Sequence, residues 1–274
     1  MKMKKLLYGL AVVSALLFLF SCGTGSRKSA SGDKPGIRVM TYNIHHCNPP
    51  DREGIIDVDA IAAVITAEDA DVVALQEVDV NIGRSGGIDQ AALLAEKTSY
   101  PNYYFGKAMD YDGGQYGIMI LSKYPLSETS THKLPMSGSD IEEPRVLAVA
   151  TVTLPGGKTF RFGTVHLEAY NEESRMLQAK EICRIAKETS VPFILAGDLN
   201  AYEGNEEIRI FDEVFARTCR HCPPTFDEDG ETGAIDFILF NPAGALKVLK
   251  HKVIQNREVS DHMPVIADLE WVEN

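Results

Sequence analysis

The stretch Val191–Ala201, read as Val-Pro-Phe-Ile-Leu-Ala-Gly-Asp-Leu-Asn-Ala, constrains this chain more than any other. An apolar run with few polar interruptions is the pattern of a strand buried on both faces, and it stops at Gly197-Asp198-Leu199-Asn200. Side chains two residues apart share a face of an extended chain, so Asp198 and Asn200 are delivered together at the tip of a rigid element. Gly, Asp and Asn are also ordinary turn formers, so one occurrence carries little weight. Recurrence of the same design along the chain carries more.

Ile37–Ile44 reads as the first strand, and alternation beyond it puts Asn43 and His45 on one face and turns His46 away. The spacing of Ile56, Ala60, Ala63 and Val64 predicts a helix over Ile55–Ala67. Asp71–Leu75 is a second buried strand and delivers Gln76-Glu77-Val78-Asp79. Arg84-Ser85-Gly86-Gly87 is a turn whose arginine either holds a phosphate oxygen or is solvated, and Asp89–Lys97 is a short helix. Tyr103–Lys107, Tyr116–Ser122 and Val146–Thr153 read as successive strands of a second sheet, with Met136–Glu143 a polar loop that can wall a site. Lys158–Val165 presents His166 at its end, followed by Glu168. Glu172–Lys187 is a helix capped by Asn171, with Met176, Ala179, Cys183 and Ala186 facing inward, and Glu203–Ile210 is helical. Ala234–Phe240 is an apolar strand with Asp236 embedded in it. A bare carboxylate there is costly, so it needs a partner such as a histidine. Ser260-Asp261-His262 precedes the last strand, Val265–Leu269. Adjacent side chains diverge, so one of Asp261 and His262 can meet a metal while the other faces substrate.

A length of 274 residues, with 45% hydrophobic and no repeat or linker after residue 36, fits one domain over residues 37–274. The start is different. Met1–Lys5 is basic and Leu6–Phe20 is apolar but short for a membrane span, which reads as a signal peptide over residues 1–21. Leu19-Phe20-Ser21-Cys22 resembles the bacterial lipobox, so a lipid on Cys22 is expected to anchor the protein in the bacterial cell envelope, at the periplasmic or outer-membrane face. The alternative is an uncleaved anchor with a chance cysteine. Residues 22–36 would then form a flexible tether. Without Lys2, Lys4 and Lys5 the net charge of −12 becomes −15, which disfavours long nucleic acids as partners, since their affinity comes from neutralised phosphates. Cys219 and Cys222 form Cys-Arg-His-Cys, either a local disulfide staple or two idle thiols.

Asn43, Glu77, His166, Asp198, Asn200, Asp236, Asp261 and His262 all lie at or beside strand ends. Carboxylates sharing a cleft repel one another unless protons or a cation compensate. A divalent cation does so at neutral pH, and donors that are oxygen with no cysteine favour Mg²⁺, with Mn²⁺ or Ca²⁺ as substitutes. Such a site suits phosphate-ester hydrolysis: the cation neutralises phosphoryl oxygens, a base orients water and an imidazole steadies the transition state. Strand-end carboxylates also serve glycosidases, which need two of them and no cation. A lipoprotein that keeps the fold only as a non-catalytic binding module is a further alternative.

Taken in order, Thr-Tyr-Asn-Ile at 41–44, Leu-Gln-Glu-Val-Asp at 75–79, Thr-Val-His-Leu at 164–167, Gly-Asp-Leu-Asn at 197–200, Ile-Asp-Phe-Ile at 235–238 and Ser-Asp-His at 260–262 resemble the endonuclease/exonuclease/phosphatase superfamily. The resemblance implies an α/β four-layered sandwich, two mixed β-sheets packed face to face with helices outside, as in DNase I. It implies that Glu77 and Asp261 bind a metal with Asn43 beside them, and that Asp198 and Asn200 orient water and phosphate. It further implies that Asp236 pairs with His262 and that His166 contacts the phosphate or leaving group. Either Asp198 or His262 would remove the water proton. Asn43 and Arg84 are the substrate-binding candidates, and the substrate is a phosphate ester, a small molecule or a lipid head group. Asn43-Ile44-His45 departs from the Asn-x-Asp of the nuclease branch, and the surroundings of Asp236 depart from the inositol-phosphatase branch.

Overall fold

In the computed structural model, which describes residues 36–228, 231–242 and 244–272, the first strand is β1 (Gly36–Asn43). The signal peptide, Cys22 and all of the tether but Gly36 lie outside the described residues. Among the described residues no helix is long and apolar enough to cross a membrane. Alternation along β1 sends Ile37 and Val39 to one face and Met40 and Tyr42 to the other, and all four are buried. A strand apolar on both sides requires a layer on each.

One layer comes from the crossover that follows, where α1 (Val58–Glu68) leads to β2 (Val72–Val80), parallel to β1. Asp57 caps α1 by accepting from the Ala60 amide, so the helix starts at Val58 rather than Ile55. Its buried face is Val58, Ile61, Ala62 and Ile65; the expected stripe was turned from it, and Ala63 is exposed. After α2 (Gln90–Thr98), the strands β3 (Asn102–Tyr111) and β4 (Gly114–Ser122) form a hairpin through Asp112 and Gly113, both at positive φ. β4 pairs antiparallel with β2. These two strands therefore belong to the first sheet and not to the second: β2 has an open edge away from β1, and the apolar β4 closes it.

The second sheet repeats the plan. β5 (Leu126–Lys133), β6 (Val146–Thr153) and β7 (Thr159–His166) are antiparallel neighbours, and β7 crosses through α3 (Glu172–Lys187) to its parallel partner β8 (Phe193–Asp198). Then come α4 (Glu206–Asp212), β9 (Ala216–Arg217), the small hairpin β10 (Phe226–Glu228) and β11 (Glu231–Gly233), and β12 (Asp236–Asn241). β13 (Leu246–Val253) and β14 (Val265–Trp271) return to the first sheet, giving the orders β13-β14-β1-β2-β4-β3 and β5-β6-β7-β8-β12-β9.

Three buried layers of side chains hold these parts together. Val39, Val72 and Ile120 meet Phe162, Ile194 and Ile238 between the sheets; Met40, Val73 and Leu75 meet Ile61, Ile65 and Leu94 under the first helices; Leu195, Phe237 and Leu239 meet Ala179, Ile182 and Phe211 under the second. The architecture is the four-layered α/β sandwich. In α3, Asn171 caps as expected, but Met176 is half-buried while Ser174 and Gln178 are buried, and α4 starts three residues later than predicted. β5 and β13 were not anticipated, because edge strands such as Leu-Lys-Val-Leu-Lys-His-Lys-Val carry charge on their open side and read as loops.

The layer between the sheets changes character along its length. The face that carries Val39 ends in Thr41 and Asn43, and that of Ala74 ends in Gln76; those of Phe162, Ala196 and Ile238 end in Thr164 and His166, Asp198, and Asp236. Thr41 Oγ1 lies 3.3 Å from Gln76 Oε1, and Gln76 Nε2 donates to Thr164 Oγ1 at 3.0 Å, which joins the sheets through polar groups where the apolar core stops. Beyond that seam lies the cleft.

Candidate active site

β8 is the axis of the site. It pairs His166 with Asp198 across the parallel β7 and Asp236 with Asp198 across the antiparallel β12, so three functional groups stand at one level. A Cβ at Gly197 would collide with the Val165 carbonyl, so only glycine lets the two strands close up immediately before Asp198. The Asp198 carboxylate is buried and its Oδ1 accepts the Asn200 amide at 2.9 Å. Asn200, at φ +46°, turns its own amide to the Leu167 carbonyl at 2.9 Å, so it fixes the loop that carries Asp198.

Asp198 Oδ2 is where the two sheets meet. Asn43 Nδ2 donates to it at 3.0 Å, His166 Nε2 lies at 3.4 Å and His262 Nε2 at 3.6 Å. Asn43 Nδ2 also donates to Glu77 Oε1 at 3.1 Å, and these two bonds use both of its hydrogens. The nearby His262 Nε2, 3.4 Å from the same nitrogen, therefore receives none and is free to carry its own proton towards Asp198. The other ring nitrogen of His262 lies 2.9 Å from Asp236 Oδ2, which brings the expected pair together. Burial opposes charge on this imidazole, but Asp236 and Asp198 outweigh it and raise its pKa to about 10. Burial, with the charge of Asp236, raises Asp198 despite the opposing His262. Asp236 is further located by Thr225, whose Oγ1 accepts its amide at 3.1 Å.

His166 is neutral, and its tautomer is decided by its neighbour. Arg145 is a donor only, so its Nη1 at 3.1 Å makes His166 Nδ1 an acceptor and leaves the proton on Nε2. Burial and Arg145 both hold the His166 pKa well below the usual imidazole value. The sequence reading missed Arg145, along with Tyr116, whose hydroxyl lies 3.4 Å from the same Nδ1. A lone arginine before an apolar strand looks solvated, but here it is buried, ion-paired to Glu143 at 2.9 Å and 3.7 Å from Glu168. The loop expected over Met136–Glu143 ends beside this group.

Glu77 reaches the cleft by a different route. Strict alternation after Gln76 would turn it towards the helices, but the β2–β4 ladder shifts register between Leu75 and Val78, and Glu77 sits at φ +58°. That bulge re-aims the carboxylate to Asn43. Burial works against its charge, yet the nearby imidazoles of His46 and His45 and the hydrogen bond from Asn43 hold its pKa far below the usual carboxylate range. His46 does not point away as alternation suggested. His45, His46 and Cys47 form a 3-10 turn, all at positive φ, and His46 Nδ1 lies 3.6 Å from Glu77 Oε2 while His45 Nδ1 lies 3.9 Å from Asp261 Oδ1. Ser260 secures the Asp261 segment by donating to the Asn43 carbonyl at 2.8 Å.

Arg84 lies beside this group, with Nε and Nη2 bonded to Asp79 at 2.8 and 2.9 Å and its guanidinium over the rings of Tyr111 and Tyr116. Cys219 and Cys222 are joined as a disulfide.

Among the described residues one group brings three ligand atoms close enough to share a cation, and Glu77 and Asp261 stand apart from it. Asp198, Asp236 and His262 present ligand atoms within 4.8 Å of one another, but they are buried and the Asp236–His262 hydrogen bond already occupies them. Glu77 and Asp261 keep partial solvent access, and among the described residues neither is paired with a lysine or arginine. Carboxylates of this kind, with oxygen donors and access to water, fit a hard divalent cation.

The sequence pattern of the Endonuclease/Exonuclease/phosphatase family matches residues 40–262. The chain belongs to this family. The activities in its name cleave phosphoester bonds, so the chain is a hydrolase of the phosphoesterase type. The uncharacterised protein YbhP of Escherichia coli K12 is 26% identical over 248 residues, 85% of this chain and 96% of YbhP. An endonuclease/exonuclease/phosphatase from Beutenbergia cavernae DSM 12333 superposes with a TM-score of 0.73 at 27% identity, covering 86% of this chain and 72% of the other. A family protein from Bacteroides thetaiotaomicron shares the fold at the same TM-score and 20% identity, covering 87% and 98%. All six motif groups fall within residues 40–262.

Proposed function

We propose that the chain is a divalent-cation-dependent phosphoesterase for a small phosphorylated molecule or a lipid head group. The observation that carries the reading is the convergence of Asn43, His166 and His262 on one oxygen of Asp198, with Glu77 and Asp261 beside them. Glu77 and Asp261, with Asn43 adjacent, would hold the ion, Mg²⁺ on the oxygen-rich donor set or Mn²⁺ or Ca²⁺ in its place, and when bound it neutralises the phosphoryl oxygens.

The chain's own groups supply the rest. Asp198 orients the attacking water and takes its proton, since its raised pKa gives it the basicity an ordinary aspartate lacks. Asn200 keeps that carboxylate aimed. His262, held protonated by Asp236, faces the negative charge that builds as the water oxygen bonds to phosphorus and the leaving-group oxygen departs. His166, with its proton fixed on Nε2, donates to a phosphoryl or leaving-group oxygen. Arg84, braced by Asp79, is placed for a peripheral substrate oxygen.

A net charge of −12 disfavours long nucleic acids as substrates. Residues 1–22 support export and a lipid on Cys22, which would place the cleft at the cell envelope; if Cys22→Ser fractionates and migrates like the wild type, this anchor is wrong. The activity is tested with bis-p-nitrophenyl phosphate and p-nitrophenyl phosphate, with and without EDTA, on the wild type and Asp198→Asn. Metal-dependent hydrolysis lost in Asp198→Asn is the expected result. Full activity in EDTA, or in Asp198→Asn, overturns the reading. A second arm with phosphorylated head groups and oligonucleotides separates the substrate classes.

A further inference from the structure

Resting on the reading that Glu77 holds the cation, we propose that the His46 imidazole is a further ligand of that ion, so that the site mixes nitrogen with oxygen and favours Mn²⁺ and later first-row ions over Mg²⁺. The sequence reading gave an all-oxygen donor set with His46 facing elsewhere. The structure brings His46 to the carboxylate instead.

His46 Nδ1 is buried and has no hydrogen-bond partner. It stands 3.6 Å from Glu77 Oε2, beyond hydrogen-bond reach. Two ligands of one ion, each about 2.1 Å from it, lie roughly 3 to 4 Å apart. The neighbouring His45 is committed differently: its Nδ1 lies 2.9 Å from the Asn48 carbonyl and, being bonded to an acceptor, carries the proton there. His46 is the ring whose Nδ1 lone pair is unspent.

The turn that delivers it is costly and well held. His45, His46 and Cys47 take φ values of +45°, +42° and +61°, a left-handed run that L-residues adopt only against their steric preference. Gln90 Nε2 donates to the His46 carbonyl at 2.6 Å, the Asp57 amide to the Cys47 carbonyl at 2.7 Å, and Gln90 is fixed in turn by the Asp79 amide at 3.0 Å. Without this turn His46 would follow strand alternation away from Glu77. Imidazole suits zinc, copper, iron and nickel, whereas carboxylate, carbonyl and water suit magnesium, calcium and manganese; one nitrogen donor therefore moves preference away from Mg²⁺, most strongly towards the later first-row ions and least towards Mn²⁺, the start of their series.

The test uses Mn²⁺ alone as the probe on the full-length chain in detergent. Pulsed electron paramagnetic resonance reads ¹⁴N coupling to bound Mn²⁺, and competition gives the Mn²⁺ over Mg²⁺ preference. His46→Asn and His46→Asp both suit a left-handed backbone position. The expected result is a ¹⁴N coupling in the wild type that both variants lose, with the preference for Mn²⁺ falling about tenfold or more, and His46→Asp binding Mg²⁺ better than His46→Asn. Bound Mn²⁺ without nitrogen coupling in the wild type, or with a coupling unchanged in His46→Asn, overturns this inference and leaves the Glu77 reading standing. Failure of the wild type to bind Mn²⁺, or binding that Glu77→Ala leaves unaltered, overturns both.

Discussion

The second sheet supplies His166, Asp198 and Asp236 to the cleft by plain alternation: Asp198 and Asp236 directly follow apolar positions on their face, and His166 follows Phe162 and Thr164. The first sheet supplies Asn43 in the same way but reaches Glu77 through a bulge and His46 through a left-handed turn. The regular sheet places groups already surrounded by partners, all three of them buried. The irregular one places Glu77, whose side chain keeps partial solvent access, and His46, whose buried Nδ1 has no hydrogen-bond partner. On the proposed function, regular geometry in the second sheet places the proton-handling His166 and Asp198, and departures from it in the first place the proposed ligands of the cation.

The largest effects are expected at the Asp236–His262 pair, which joins β12 to the segment ahead of β14. Asp236→Asn and His262→Ala should each lower kcat/KM on the order of 10²-fold or more, and the double variant should be little worse than the worse single. Multiplicative losses would show two independent groups rather than one unit. Next comes the bulge. Glu77→Gly should abolish stabilisation by added cation and the activity with it, yet keep the metal-free melting temperature within roughly 3 °C, because glycine relieves the left-handed position while loosening the unfolded chain. A collapse of the fold would mean that the bulge depends on the carboxylate.

A smaller effect tests the tautomer. Arg145→Lys should cost about tenfold in kcat, the low end for a group acting through its neighbour, and ¹⁵N spectra should show the His166 proton no longer confined to Nε2. Unchanged ring-nitrogen shifts would remove Arg145 from the account. The smallest effect lies away from the cleft, where His251 of β13 lies 2.9 Å from Thr218 Oγ1, next to β9, and links the sheets. Burial lowers the His251 pKa. A histidine kept neutral in the fold adds stability above its unfolded pKa of about 6.5 and loses it as pH falls towards the lower folded value, because the unfolded chain binds the proton first. His251→Asn should therefore flatten the fall in melting temperature between about pH 7.5 and 5.5 by about 1–2 °C; an identical slope would mean that its environment is as polar as water.

What could be read in the sequence follows the same division. Apolar strands ending in Asn43, His166, Asp198 and Asp236 obey a period of two, and both the fold and this half of the site follow from it. The direction of His46, the re-aiming of Glu77 and the stripe on α1 were missed or misplaced, because each depends on a local backbone departure that residue types do not announce. Arg145 was hidden by its own chemistry, since only packing distinguishes a buried guanidinium from a solvated one. β3 and β4 were put in the wrong sheet because an apolar run does not say which open edge it will fill.

The first strand lies beside the last. β1 is paired along Gly36–Thr41 with β14, and Ser260, just ahead of β14, donates to the Asn43 carbonyl across 217 positions of sequence. Closing so long a loop makes this pairing a slow, non-local event in folding. Until it happens β1 keeps one edge unpaired, and Asp261 and His262 are absent from the cleft. On the proposed function a nascent or partly folded chain is expected to be inert, and the same docking step that seals the sheet against edge-to-edge association also completes the proposed catalytic group.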